Sequence, residues 1–163
     1  MKTSIQTYTE SYQKQVETLV LGVQNDEFGL GLTAQDQPDL PNIAEFYKNG
    51  CFWIALNNEN QVMGTIGIEP LTDGQAVLRK MFLDKSMRGD KDENLAQRLF
   101  ETLLQYAKEK GYEALWLDTP PPAKAAHRFY ERNGFDLMPP ESAPSSYKLP
   151  KISGLKIYRL LIK

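Results

Sequence analysis

Between Cys51 and Asp84 three apolar runs, CFWIALNN, VMGTIGIEP and AVLRKMFLD, are separated only by the turn-forming stretches NNENQ and LTDG. Strand-length runs bounded by Asn, Asp and Gly clusters read as hairpins, so this region predicts a three-stranded antiparallel meander. Past Gly89 and the charged stretch DKDEN, Leu95, Ala96, Leu99, Leu103, Leu104 and Ala107 recur at helical spacing, and Gly111 supplies a stop. A meander running directly into an amphipathic helix restricts the chain to a sheet with helical cover.

The remaining segments fit around that unit. TSIQTY (3–8) reads as a first strand, and Tyr12, Val16, Leu19, Val20 and Val23 predict a helix near 9–25. NDEFGLGLTAQDQPDLP reads as a loop, and PNIAEFYKNG as a short helix with Pro41 at its start and Gly50 past its end. EALWLDT predicts a fifth strand, and PPPAKAAHRFYERNGF a helix opened by Pro122 and closed by Asn133-Gly134. Residues 137–150, rich in Pro and Ser, are expected to wander, and GLKIYRLLIK predicts a last strand. Strands followed by helix, strand, helix and strand indicate an α/β or α+β sandwich with one central sheet, and 163 residues suit one domain, 1–163.

Composition narrows the function. A net charge of −2 offers no basic footprint for nucleic acid. No apolar run approaches the roughly 18–20 residues that cross a bilayer, and the N-terminus MKTSIQTYTESYQKQ is too polar for a signal-peptide core. One cysteine (Cys51) and one histidine (His127) give neither a disulfide framework nor a Cys/His metal cluster, so the expectation is no metal and a cytoplasmic location.

The stretch LRKMFLDKSMRGDKDENLAQRLFETLL runs from strand through charged loop to helix N-terminus. A helix N-terminus presents unpaired N–H groups and the positive end of the dipole, which suits a pyrophosphate. Arg88 would add charge and Gly89 would allow close backbone approach. The alternative is an ordinary strand-to-helix loop with a solvated charge run.

Leu83–Gly89 resembles the V-x-P-x-Y-R-G segment of GNAT acetyltransferases, and NLAQRLFETLL resembles the G-I-G-x-x-L-L opening of their next helix. Ala126–Phe135 is similar to the family's A-x-x-F-Y-E-x-x-G-F. The likeness extends over the whole chain and is greatest to a subgroup with EFGL, QPDL, FWVA, LRKMFV and AAHRFYEKNGF segments, matched here by Glu27–Leu30, Gln37–Leu40, Phe52–Ala55, Leu78–Leu83 and Ala125–Phe135. The resemblance implies a mixed sheet of about six to seven strands flanked by about four helices, with acetyl-CoA as co-substrate. Backbone groups of Phe82 and Leu83 would pair with the pantetheine arm, and Arg88, Gly89, Asn94, Leu95, Ala96 and Gln97 would receive the pyrophosphate. Two departures stand out: a longer loop with Asn94 in place of the first helix glycine, and Ala123 where the family often has asparagine. Asn tolerates left-handed backbone better than most residues, so the turn is expected to survive.

Amide formation from a thioester needs a neutral amine, a polarised carbonyl and a protonated leaving thiolate. The resemblance makes Tyr130 the general acid, beside the cofactor, with the N–H of Leu83 or Phe82 polarising the thioester oxygen. Glu27, Glu69 and Asp118 are candidate bases among which the sequence does not choose. Arg79 and Lys80 are adjacent strand residues expected on opposite faces, one of them toward the acceptor. A cation beside an amine acceptor implies an anionic group on that acceptor; the alternative is a structural ion pair with Asp84 or Glu69. Phe28 and His127 complete the candidate acceptor side, with a packing role open for His127. Cys51, lacking a neighbouring base, reads as a small buried side chain, which favours direct transfer over a ping-pong route.

The resulting expectation is acetylation of a small amino-acid-like amine in a ternary complex. Acetylation of a protein or peptide amine and acyl-CoA sensing without turnover are the alternatives, and a homodimer through exposed strand edges is open.

Overall fold

The computed structural model describes residues 2–163. Seven strands form one sheet in the order β1-β2-β3-β4-β5-β7-β6, where β1 is Ser4–Thr7, β2 Cys51–Leu56, β3 Val62–Pro70, β4 Gln75–Leu83, β5 Ala114–Thr119, β6 Asp136–Met138 and β7 Lys156–Leu161. The meander closes through two tight turns. Asn57 Oδ1 accepts from Glu59 N and Gln61 N in the first. In the second, Asp73 and Gly74 both take positive φ, the left-handed pair a short hairpin requires.

The helices are α1 (Gln13–Gly22), α2 (Ile43–Phe46), α3 (Leu95–Glu109) and α4 (Lys124–Arg132). α3 and α4 cover one face, where Leu95, Leu99, Phe100, Leu103, Tyr130 and Phe135 pack on Ile66, Leu78, Leu115 and Tyr158. Gly64 lets α3 lie close, because a Cβ there would stand 2.9 Å from Leu99 Cδ1. On the opposite face α1 and α2 pack on Phe52, Ile54 and Val62, while Tyr147 from the irregular segment 139–155 packs on Val77, Trp116 and Ile157.

Several expectations are corrected. The helix expected over 41–49 is a single turn, Ile43–Phe46, capped by Asn42 Oδ1 accepting from Glu45 N. The first helix runs into a π-turn at Val23–Glu27. Residues 136–138, at the edge of the segment expected to wander, pair with β7 as β6. Phe100, unassigned from periodicity, is buried in the core, whereas Leu104 is only partly buried.

The functional geometry originates where β4 and β5 part. They pair in parallel only from Gln75–Ala114 to Val77–Trp116. Beyond that β4 runs on to Leu83 and β5 to Thr119 without pairing, and a split opens between them.

Candidate active site

β4 carries a bulge at the split. Thr65 pairs with Phe82 and Gly67 with Arg79, so Lys80 and Met81 together oppose Ile66, and Lys80 adopts φ 52°. The extra residue breaks alternation. Leu78, Met81 and Leu83 pack toward α3 and α4, whereas Arg79 and Lys80 both turn to the α1/α2 face. The expectation that the two cations face opposite sides is therefore overturned.

The bulge also aims the backbone. Lys80 C=O accepts from Thr65 Oγ1 at 2.7 Å and so faces β3. Across a planar trans peptide the next N–H points the other way, which directs Met81 N–H into the split. Asp84 N–H donates to Met63 O at 2.8 Å, which makes Asp84/Met63 and Phe82/Thr65 the hydrogen-bonded pairs of the ladder. Leu83 between them turns its N–H and C=O into the split, while those of Phe82 are engaged with β3. Sequence reasoning named Phe82, whose backbone groups face β3, and not Met81, because a bulge leaves no compositional trace.

At the end of the split, α3 begins as the loop resemblance requires. Asn94 sits at φ 47°, ψ 46°, left-handed, with no side-chain cap. Among the described residues the N–H groups of Leu95, Ala96 and Gln97 have no acceptor, and an anion is the partner that such a helix start suits. Gly89, at φ 73°, has open space on its Cβ side. Gln97 uses its side chain on Asn133 Oδ1 (2.9 Å), tying α3 to the end of α4. Arg88 is engaged elsewhere: both terminal nitrogens meet the Glu27 carboxylate, and Nη2 donates to Leu83 O at 3.0 Å. That bond holds the Glu27 carboxyl below the usual carboxylate range. Phe28 leaves the π-turn half-buried and belongs to none of the apolar clusters.

Tyr130 is buried at the split with its hydroxyl 3.9 Å from Met81 Sδ. Burial, then the nearby Asp118 charge, pushes its phenol well up, so it holds its proton. His127 is occupied: Nε2 lies 3.0 Å from Pro120 O, the ring packs near Tyr158, and burial holds its pKa down. Cys51 is half-buried at the start of β2, and burial raises its thiol pKa.

On the α1/α2 face the cations meet carboxylates. Lys80 Nζ lies 3.0 Å from Asp39 Oδ1, and Tyr47 donates to Asp39 Oδ2 at 2.6 Å. The segment carrying Asp39 is tied to α1 and the π-turn: Gln13 donates to Leu40 O, and Gln24 and Gln37 exchange amide bonds of 2.9 and 2.8 Å. Arg79 Nε donates to Glu69 at 2.8 Å, as the ion-pair alternative held. Its guanidinium lies 5.9 Å from the Phe46 ring and 5.6 Å from that of Tyr147, and its terminal nitrogens have no hydrogen-bond partner among the described residues. Asp118, half-buried at the end of β5, accepts from Tyr147 Oη. Burial raises its pKa, partly offset by the Tyr147 bond and by Arg79 and Lys80. Asp39, Tyr47 and Tyr147 were not assigned from sequence. Asp39 lies in the QPDL segment, whereas Tyr147 is a single aromatic in a Pro/Ser-rich stretch.

The sequence profile of the Acetyltransferase (GNAT) family matches residues 18–135. The chain belongs to this family. As a GNAT member it is an acetyl-CoA-dependent acyltransferase. A GNAT-family acetyltransferase from Staphylococcus aureus Mu50 superposes with TM-score 0.93 at 32% identity, covering 99% of both chains. The probable N-acetyltransferase camello of Xenopus tropicalis is 29% identical over 88% of this chain and 68% of its own length. The N-acetylaspartate synthetase of Danio rerio is 29% identical over 77% of this chain, which spans only 43% of that protein. Among the described residues no group of three His, Cys, Asp or Glu is placed to hold a metal, and no helix is long and apolar enough to cross a membrane.

Proposed function

We propose that the chain transfers the acetyl group of acetyl-CoA to the primary amine of a small, amino-acid-like molecule bearing a carboxylate, by direct attack in a ternary complex. The observation that carries this reading is Arg79, whose guanidinium lies 5.9 Å from the Phe46 ring and 5.6 Å from the Tyr147 ring, with its terminal nitrogens unpartnered among the described residues. A guanidinium held in this way suits bidentate capture of a carboxylate. Around it stand the carboxylates Asp39, Glu69 and Asp118 against the cations Arg79 and Lys80. That excess of negative charge suits the ammonium end of a zwitterion.

In the proposed step the amine nitrogen bonds to the thioester carbon, the C–S bond breaks, Asp118 accepts the amine proton and Tyr130 protonates the departing thiolate. Met81 and Leu83 N–H supply hydrogen bonds along the split, one of them to the carbonyl oxygen. Asp118 is favoured as base over Glu27 and Glu69, which are each bound directly to an arginine. The pyrophosphate would rest on Gly89 and the N–H groups of Leu95–Gln97. The name of one relative, N-acetylaspartate synthetase, denotes an acetylated amino acid and agrees with this acceptor class.

Thiol release from acetyl-CoA over the twenty amino acids, their decarboxylated amines and short peptides tests the reading. Amino acids should be preferred to the matching amines, Arg79→Met should remove that preference, and Asp118→Asn should lower kcat about 10²–10⁴-fold. Faster turnover of decarboxylated amines or peptides would overturn the acceptor assignment, and an undiminished kcat in Asp118→Asn would remove the base.

A further inference from the structure

We infer that Tyr147, carried by the irregular segment 139–155, is a positioning residue that ties the two sides of the split together by holding the Asp118 carboxylate and the Arg79 guanidinium at once. The inference rests on the reading of Asp118 as proton acceptor and Arg79 as carboxylate ligand. β4 and β5 share no backbone bonds beyond Val77 and Trp116, so nothing in the sheet fixes the spacing of Arg79 and Asp118. Tyr147 spans the gap. Its hydroxyl donates to Asp118 Oδ2, and its ring lies 5.6 Å from the Arg79 guanidinium, which also lies 5.9 Å from the Phe46 ring.

The ring is itself anchored. It is buried with Val77, Trp116 and Ile157, and the Tyr147 backbone N–H donates to Pro144 O at 2.9 Å. The preceding Ser146 hydroxyl lies 3.1 Å from Thr72 Oγ1 in the β3–β4 turn. A segment without strand or α-helix thereby delivers one aromatic side chain to a fixed point. The groups facing Asp118 are Arg79 and Lys80 from β4, Asp39 from the loop before α2, Tyr130 from α4 and Tyr147, with Glu69 of β3 facing Tyr147 in turn. The Tyr147 bond favours the ionised carboxylate, so its loss raises the Asp118 pKa and moves the ascending limb of the kcat profile to higher pH.

Tyr147→Phe keeps the ring over Arg79 and removes the hydroxyl, whereas Tyr147→Leu removes both. In Tyr147→Phe, kcat for the best amino acid of the panel should fall about tenfold on the acidic limb of the profile, recover at higher pH as the limb moves up about one unit, and leave acceptor KM unchanged. Tyr147→Leu should add a rise in acceptor KM without changing the KM for acetyl-CoA. A ¹³C titration of the Asp118 carboxyl reads the same shift without any acceptor and in whatever fraction stays folded. An unmoved carboxyl titration and unmoved pH limb in Tyr147→Phe would overturn the inference. If Asp118→Asn keeps full kcat while the carboxyl titration moves, the base assignment fails and the Tyr147–Asp118 coupling stands.

Discussion

Removing Lys80 strands a buried charge. The Lys80 and Asp39 side chains are 13% and 4% exposed with 3.0 Å between charged atoms, and the second Asp39 oxygen is taken by Tyr47. Breaking such a pair from one side costs about 3–5 kcal/mol, because the surviving ion stays desolvated. Lys80→Met keeps the stem's packing and deletes the charge, so the loss is electrostatic. The orphaned carboxylate has one escape, to take up a proton. Relative to an aspartate of the unfolded chain, near 3.9, protonation costs about 1.36 kcal/mol per pH unit, which caps the penalty near about 4 kcal/mol at pH 7 and about 1.5 kcal/mol at pH 5. A proton bound in the folded variant but not in the unfolded chain makes stability fall as pH rises. The deficit of Lys80→Met should therefore be about 3 kcal/mol at pH 7 and about 1.5 kcal/mol or less at pH 5. With a urea slope of about 1.5–2 kcal/mol per molar, the neutral-pH midpoint drops by roughly 1.5–2 M. Asp39→Asn should cost a comparable amount, and the double variant should cost no more than about either single variant, giving a coupling of about 3 kcal/mol. Additive single effects, with coupling under about 0.5 kcal/mol, or a deficit equal at pH 5 and 7, would refute the reasoning.

Two further perturbations address the cofactor side. Asn94 stands in left-handed backbone without a cap, so Asn94→Gly should leave the melting temperature and CoA affinity nearly unchanged, whereas Asn94→Val costs about 1–2 kcal/mol and weakens CoA binding in calorimetry; equal effects of the two would refute the backbone role. Because Arg88 holds both oxygens of Glu27, Glu27→Gln should lower kcat less than about fivefold, within the worth of an exposed ion pair, and leave the ascending pH limb in place; a limb displaced in this variant would make Glu27 the base.

Much of the scaffold was legible because its signals are local. Turn chemistry at Asn57–Asn60 and Asp73-Gly74 and the apolar stripe of α3 need no partner to be read. β6 was missed because three residues carry no periodicity and exist as a strand only through β7. α2 was overestimated because Pro41 and Gly50 punctuate a segment whose helical part is one turn. In the candidate site, the left-handed turn at Asn94 follows from residue type. Asp39 and Tyr147 do not, since their roles come from partners distant in sequence, Lys80 in one case and Asp118 in the other.

The Arg79-Lys80 pair shows how much one residue of register can do. In an unbroken strand one cation would enter the α3/α4 core, where the apolar side chains of Leu78, Met81 and Leu83 pack. The bulge spares that cost by turning both cations to the face where Glu69 and Asp39 wait. The same extra residue forces Lys80 to positive φ and rotates the Lys80–Met81 peptide so that an N–H enters the split. Turning both cations to one face and aiming a backbone donor into the split are therefore one structural event. A deletion that restored alternation would abolish both together, even though Tyr130 and the α3 N-terminus lie outside the altered strand.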